Sequence, residues 1–136
     1  MLRDCEPNVP DLLDFYFNYS SKILIKTAPL LDLTAGLKEL KNVSAIHIVA
    51  LENEVKELLW EIHQGFEGNP KIKTVNLTKS KEESFEFNLG ETNIKINYAE
   101  PEKFLFEPNA AILKSGGFDE VAFQFNLKKL HPHSHL

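Results

Sequence analysis

The chain has 136 residues and a formal net charge of -5, from 15 basic and 20 acidic side chains. This length suits one ordinary domain or two very small ones, and the acidic balance argues against an avid nucleic-acid binder. Arg3 is the only arginine, and the lone Cys5 excludes an internal disulfide. No apolar run approaches the roughly 20 residues of a membrane span. We therefore expect a cytoplasmic protein with no membrane or DNA partner.

The first half of the chain alternates between helical and strand periodicities. In order, the pattern predicts a helix to about Ser20, a strand at Lys22–Lys26, a helix capped by Asp32, a strand at Ala45–Ala50 and a helix capped by Asn53. The third helix is predicted from Val55, Leu58, Leu59 and Ile62, which recur at helical spacing. This α-β-α-β-α order predicts parallel strands joined by crossovers.

The sequence texture changes after Gly65. Lys71–Thr78 alternates in the manner of a strand, and Phe85 and Phe87 repeat that alternation. A turn at residues 89–93 predicts an antiparallel hairpin with Ile94–Tyr98. Residues 79–83 read as a charged, solvated loop.

The last 31 residues carry the most specific patterns. Asn109 is placed to cap a helix at Ala110–Ser115, and Gly116-Gly117 to end it. The residues that follow fit two patterns, a helical stripe of Phe118, Val121, Ala122 and Phe125 and a strand alternation of Val121, Phe123, Phe125 and Leu127. His131, His133 and His135 would share one face of an extended strand, a geometry that suits zinc. Pro132 disfavours a central strand, and no carboxylate or thiol stands nearby. Metal binding by these histidines is therefore an alternative, and the main prediction is that the chain has no metal site.

Five segments together resemble a known bacterial family. They are residues 4–7 (DCEP), 26–33 (KTAPLLDL), 52–58 (ENEVKEL), 106–118 (FEPNAAILKSGGF) and 127–136 (LKKLHPHSHL). In this order they resemble the C-terminal part of class I AdoMet-dependent methyltransferase-like proteins that end in a THUMP-like domain.

The resemblance implies an α/β fold, namely the C-terminal half of a doubly wound, Rossmann-like sheet followed by a small α+β module. Residues 1–64 would be the end of the methyltransferase-like domain, 65–102 a ferredoxin-like connector and 103–136 the start of the THUMP-like module. On this basis Lys22–Lys26 is the fifth strand of the parent sheet. The strand would lack a neighbour, so we expect self-association through its exposed edge.

The resemblance also bears on cofactor and activity. S-adenosylmethionine is implied for the full-length family member, but no G-x-G motif occurs in this chain. We therefore expect a fragment, truncated at both ends, with no catalytic or cofactor-binding residues and no activity alone.

Six residues are candidates for substrate contact. Lys26 and Thr27 end one predicted parallel strand, and Asn53 follows the next, at the edge where open α/β sheets bind ligands. Lys114, Lys128 and Lys129, accompanied by Phe118, Phe123 and Phe125, are candidates for contact with single-stranded RNA. Each candidate also has a plain structural alternative. Lys26 would be a solvated strand end, Thr27 a turn residue and Asn53 a helix cap. Phe118 and Phe125 would belong to a stripe that packs in the core.

The leading functional prediction is the substrate-recognition end of an RNA methyltransferase. The first alternative is a non-catalytic module that binds RNA or protein, and the second is metal binding through the C-terminal histidines.

Overall fold

The computed structural model describes residues 1–91 and 93–136. A short 3-10 helix at Leu2–Asp4 precedes four helices, which are α1 (Val9–Phe17), α2 (Leu33–Glu39), α3 (Ala110–Ser115) and α4 (Phe118–Gln124). The strands are β1 (Lys22–Thr27), β2 (Val43–Leu51), β3 (Glu54–His63), β4 (Lys71–Leu77), β5 (Glu82–Asn88), β6 (Asn97–Tyr98) and β7 (Lys128–Lys129). None of the helices in this described part is long and apolar enough to cross a membrane.

Five strands form one mixed sheet in the order β1-β3-β2-β4-β5, and β6 pairs with β7 in a second, two-stranded sheet. Strand β3 is antiparallel to both β1 and β2, so those two run parallel to each other but are not neighbours. Strand β4 is parallel to β2, and β5 is antiparallel to β4. The two strands predicted in the first half therefore run parallel, as expected, but β3 lies between them where a helix was predicted. The sheet also unites strands from both sides of the boundary expected at residues 64 and 65.

The predicted helix after Asn53 is wrong, because Glu54–His63 is strand β3. Glu52 and Asn53 both have positive φ, 48° and 61°, as in the type I′ turns that join two-residue hairpins. Asparagine tolerates this left-handed conformation better than most residues. Leu58, Trp60 and Ile62 then alternate into the core, which is strand periodicity. Asn53 is thus a turn residue between β2 and β3.

The hairpin predicted around residues 89–93 is also wrong. Phe85 and Phe87 lie in β5, which pairs with the preceding strand β4, while Tyr98 lies in β6 and pairs with Lys129. Thr92, in the predicted turn, lies outside the described residues. The charged loop expected at 79–83 is shorter than predicted, because β5 already begins at Glu82.

The hydrophobic core lies on one face of the main sheet. Helix α1 contributes Leu13 to it, and α3 contributes Ala111 and Ile112. On the opposite face the alternate strand residues, such as His47 and Leu59, are half-buried. The fully buried large side chains are Leu13, Ile46, Ile48, Leu58, Trp60, Ile62 and Ile72.

The predicted helix ends are confirmed where they depend on local chemistry. The Asp32 carboxylate accepts a hydrogen bond from the Ala35 amide at 2.8 Å, and the Asn109 side chain accepts one from the Ile112 amide at 3.1 Å. Gly116 ends α3 with φ 72°, a conformation that favours glycine. Residues 118–124, which fitted either a helix or a strand, form helix α4.

Candidate functional site

The carboxyl ends of β1, β2 and β4 lie at the same edge of the main sheet, because these three strands run in the same direction. Thr27, Leu51 and Leu77 are the last residues of the three strands. This is the edge at which open α/β sheets bind ligands. Two of the predicted contact residues, Lys26 and Thr27, end β1 here, and the turn that contains Asn53 follows β2.

Lys26 and Thr27 do not converge on one site. The exposed Lys26 ammonium pairs with the Glu57 carboxylate at 3.2 Å. The Thr27 hydroxyl accepts a hydrogen bond from the indole Nε1 of the fully buried Trp60 at 2.9 Å. Successive residues of a strand point to opposite faces, so the two side chains face different surroundings. Thr27 therefore accepts the hydrogen bond of a buried indole. Lys26 lies on the face opposite the core, together with Leu59 and His47, which we call the open face.

Asn53 links the β2–β3 turn to the sheet and to helix α3. Its backbone amide donates to the Asn76 Oδ1 at 2.9 Å, and its own Oδ1 accepts from the Ala110 amide at 2.7 Å. Ala110 is the first residue of α3. The predicted role of Asn53 as the cap of a helix that directly follows it is wrong. Its side chain instead accepts a hydrogen bond from the first amide of α3, 57 residues further along the chain.

Glu83 continues this polar network. Its carboxylate accepts hydrogen bonds from the side-chain amides of Asn76 at 2.9 Å and Asn109 at 3.2 Å, and it pairs with Lys81 at 2.6 Å. The Lys81 ammonium, followed by the Asn76 and Asn109 amides, lowers the pKa of Glu83 from 4.5 to about 2. The network holds the turn, the buried Asn76 and the start of α3 in one arrangement. These hydrogen bonds all join residues of the chain to one another, so the role of the network is to hold this edge of the sheet in place.

The open face of the sheet carries a second cluster, made by β2 and β3. The Glu61 carboxylate lies 3.0 Å from the Nε2 of His47 and 3.3 Å from the Nε2 of His63. The hydrogen bond to His47 is the main cause of a lowered pKa of Glu61, to which the charge of Lys73 adds. This arrangement was missed in the sequence because residues 53–62 were interpreted as a helix. Strand alternation of Glu61 and His63 is the signal that would have placed them on one face.

The histidine-rich end of the chain does not have the shared face that the zinc alternative requires. The rings of His131 and His133 lie 5.4 Å apart, whereas the His135 ring lies against Phe118, at 5.9 Å. Within residues 1–91 and 93–136, no group of three or more His, Cys, Asp or Glu side chains has a geometry that could hold a metal ion.

A groove of about 270 Å³ lies in the C-terminal module, between residues 99–108 and a wall formed by α4, β7 and the last residues. Phe118, Val121 and Leu127 are among the apolar side chains that line it. Phe104 and Phe106, at its border, are 67% and 61% exposed, and their rings lie 6.3 Å apart. The ammonium of Lys103 lies 5.2 Å from the centre of the Phe104 ring. Phe104 and Phe106 were not among the sequence candidates, although two phenylalanines at spacing two beside a lysine are evident in the amino-acid sequence.

The three predicted lysines of this module differ in their availability. Lys129 is only 6% exposed, and its ammonium binds the Asp119 carboxylate at 2.7 Å and the Pro132 carbonyl at 3.2 Å. Lys128 is exposed and pairs with Glu102. Lys114 is half-buried in the last turn of α3. Two of the three predicted lysines are therefore already paired with carboxylates.

Comparison with known proteins found a match for the C-terminal segment and a match for nearly the whole chain. Residues 104–136 match a family described as a ferredoxin-like domain. The ferredoxin-like match therefore falls on the segment in which a THUMP-like module was expected, and outside residues 65–102. The comparison with curated proteins found no match.

Nearly the whole chain matches part of one solved structure, described as a putative methyltransferase from Porphyromonas gingivalis W83. The two are 36% identical, with a TM-score of 0.87. The match covers 98% of this chain but 35% of that chain, so this chain spans about a third of the length of the protein it resembles. The predicted methyltransferase-like character is thus supported at the level of a partial match.

Proposed function

We propose that this chain is the substrate-recognition end of a methyltransferase-like protein. The observation that carries the proposal is the match at 36% identity and a TM-score of 0.87 over 98% of the chain. The THUMP-like character of the C-terminal module remains a prediction.

The residues present do not fit a binding site for S-adenosylmethionine. A dinucleotide-type cofactor loop needs closely spaced glycines after a strand. Gly116-Gly117, the one glycine pair, lies between α3 and α4, and a β-carbon at Gly117 would come 2.5 Å from the Phe87 ring. Gly116 therefore ends α3, and Gly117 allows close packing against the Phe87 ring. In our proposal the cofactor therefore belongs to other parts of the parent protein.

The substrate class that we propose is single-stranded RNA, bound at the border of the C-terminal groove. The exposed rings of Phe104 and Phe106 provide flat surfaces on which bases stack, and the Lys103 ammonium lies beside them. Lys128 is already paired with Glu102, and Lys129 is buried against Asp119. Stacking, and not phosphate attraction, would therefore supply most of the affinity, and the salt dependence of binding would be shallow.

Calorimetric titration with S-adenosylmethionine tests the proposal that the cofactor is bound by other parts of the parent protein. We expect no binding by this chain. Stoichiometric binding would overturn the claim that the cofactor is held elsewhere.

RNA binding is tested by gel shift with a single-stranded oligonucleotide at two salt concentrations. The double substitution Phe104→Ala/Phe106→Ala should weaken binding by roughly 1–3 kcal/mol for each stacked base. Phe15, which is 54% exposed on α1, provides a matched control, because Phe15→Ala removes an exposed ring outside the groove. Wild-type protein that gives no shift at either salt concentration would eliminate RNA as the substrate class.

A further inference from the structure

Strand β5 lies at the end of the main sheet away from β1, and it presents main-chain groups at its outer edge. The Lys81 carbonyl and the Leu89 amide, just outside its two ends, bond to the residues that flank β4. Main-chain bonding in an antiparallel strand alternates from one residue to the next. The amides and carbonyls of Ser84, Glu86 and Asn88 therefore point away from β4, toward the outside of the sheet.

A groove runs along this edge, between β5 and helix α4. Two cavities of about 630 and 530 Å³ adjoin there, and Glu86 and Gln124 line both of them. The outward residues of β5 form one side, with Ser84 in the first cavity and Asn88 in the second. The other side is formed by α4 and the segment that follows β5, through Glu91, Asn93, Ile94, Glu120, Phe123 and Gln124. We call it the β5 groove, and both of its sides belong to residues 82–124 of this chain.

The second cavity of the β5 groove carries an excess of negative charge. Glu86 is already balanced, because it pairs with Lys71 at 3.4 Å and lies opposite Lys73 on β4. Glu91 and Glu120 are further carboxylates of this cavity. Burial raises the pKa of Glu120, and the negative charge of Glu91 contributes to the rise. A cationic group would relieve this repulsion, so the cavity favours a positively charged ligand.

Apolar surface lies beside these carboxylates. The Phe123 side chain is 59% exposed and that of Ile94 is half-buried, and both line the second cavity. A lysine or arginine side chain combines an aliphatic stem with a charged head. Such a side chain can lie along Phe123 and Ile94 while its head reaches the carboxylates of Glu91 and Glu120. The second cavity therefore suits a basic side chain of a partner.

We infer that the β5 groove binds an extended segment of a partner protein that carries a lysine or an arginine. The segment adds to β5 as a further strand, with main-chain hydrogen bonds to Ser84, Glu86 and Asn88, which is a common way for an edge strand to bind a peptide. Its basic side chain enters the second cavity. A nucleic acid fits less well, because its phosphates would meet the carboxylates of Glu91 and Glu120. The inference does not depend on the proposed function, since other residues line the C-terminal groove.

Selection from a random heptapeptide library displayed on phage provides the first test. We expect the enriched peptides to share a lysine or an arginine within a stretch of good strand formers. Fluorescence anisotropy with a synthetic copy of the most enriched peptide then measures affinity. Failure to enrich any peptide, or enrichment of peptides that lack a basic residue, would overturn the inference.

The double substitution Glu91→Gln/Glu120→Gln tests the role of the carboxylates. It should weaken binding of the enriched peptide at least about tenfold, because hydrogen bonds to charged groups are lost. Folding should not suffer, since burial already disfavours the charged form of Glu120. Glu67→Gln is the matched control, because Glu67 is exposed and lies outside the groove. Equal affinities of the double variant and wild type would contradict the inference.

Amide hydrogen exchange measured by NMR tests the addition of a strand. In the free protein the outward amides of Ser84, Glu86 and Asn88 should exchange faster than those of Phe85 and Phe87, which bond to β4. Saturation with the enriched peptide should slow the three outward amides at least about tenfold. A peptide that binds without slowing them would overturn the inference. So would slowing of these amides by a single-stranded RNA and by no peptide, since that result assigns the groove to nucleic acid.

Discussion

The indole ring of Trp60 lies directly against Gly36, so that a β-carbon at Gly36 would stand 2.7 Å from Cζ2 and overlap Cη2. Gly36 is buried within α2, and Trp60 is fully buried at the centre of β3. The glycine has ordinary helical geometry, and what it provides is space. Its missing side chain lets α2 approach the sheet closely enough to cover the indole.

Gly36→Ala should destabilise the protein despite the better helix propensity of alanine. Propensity favours alanine by about 1 kcal/mol, but overpacking a core costs typically about 1–3 kcal/mol, and the added β-carbon would overlap the indole ring. Urea unfolding measures the difference. Gly68→Ala is the control, because its added β-carbon would meet the Phe66 ring only at 3.3 Å. A Gly36→Ala protein as stable as wild type would contradict the close packing of α2.

Asn76 is the buried centre of the network at the sheet edge, and its replacement should be costly. Asn76→Ala leaves the Asn53 amide without its acceptor, at a cost of about 1–3 kcal/mol. Asn76→Asp keeps that acceptor but opposes a carboxylate to Glu83, so its loss of stability relative to wild type should shrink as pH falls. Chemical denaturation at two pH values measures both effects. Asn88→Ala, at an exposed β5 position, should stay within about 0.5 kcal/mol of wild type.

Glu83 should make folding stability depend on pH in the acid range. Its pKa is about 2 in the folded protein against an ordinary 4.5, so the unfolded chain binds the proton more readily between those values. Its stabilising contribution is complete above pH 4.5 and is lost as pH falls toward 2. Glu83→Gln should flatten this part of the curve of unfolding free energy against pH. An NMR titration should find a higher Glu83 pKa in Lys81→Met, and an unchanged pKa would contradict the assigned cause.

Lys128 and Lys129 are adjacent in the chain, but their replacement by alanine should affect the C-terminal segment very differently. Lys129→Ala removes a buried ammonium that binds Asp119 and the Pro132 carbonyl, and hydrogen bonds to charged groups contribute about 1.5–3 kcal/mol. We expect faster amide hydrogen exchange in α4 and residues 128–136. Lys128→Ala, which removes an exposed pair with Glu102, should leave exchange almost unchanged. Equal effects of the two substitutions would indicate that burial of Lys129 is not important.

The parts of the fold that sequence predicted correctly are those set by short-range chemistry. Asp32 and Asn109 cap helices through side-chain oxygens three residues from the amides they bind, and Gly116 ends α3 by its own conformation. Strands β1 and β2 were also found, because their apolar runs are short and bounded by turn residues. The partial match to a putative methyltransferase agrees with the motifs that carried the resemblance.

The rest depends on contacts between distant parts of the chain. Leu58, Leu59 and Ile62 satisfy helical spacing, while Leu58, Trp60 and Ile62 satisfy strand spacing, and only pairing with β1 and β2 decides between them. That error concealed the His47–Glu61–His63 cluster, which needs the register of two strands. The burial of Lys129 could not be predicted either, because it depends on Asp119 lying beside it in space.

The position of β3 between β1 and β2 has a consequence for the order in which the sheet can be assembled. Strand β1 is made first, but its neighbour ends 36 residues later, at His63. Strands β2 and β3 can close at once through their two-residue turn, whereas the Ile23-Leu24-Ile25 run must wait in the emerging polypeptide. During synthesis this short apolar segment therefore lacks its β3 partner until the β2–β3 hairpin has left the ribosome, and a chain arrested before His63 should bind more readily to chaperones that recognise extended hydrophobic peptides.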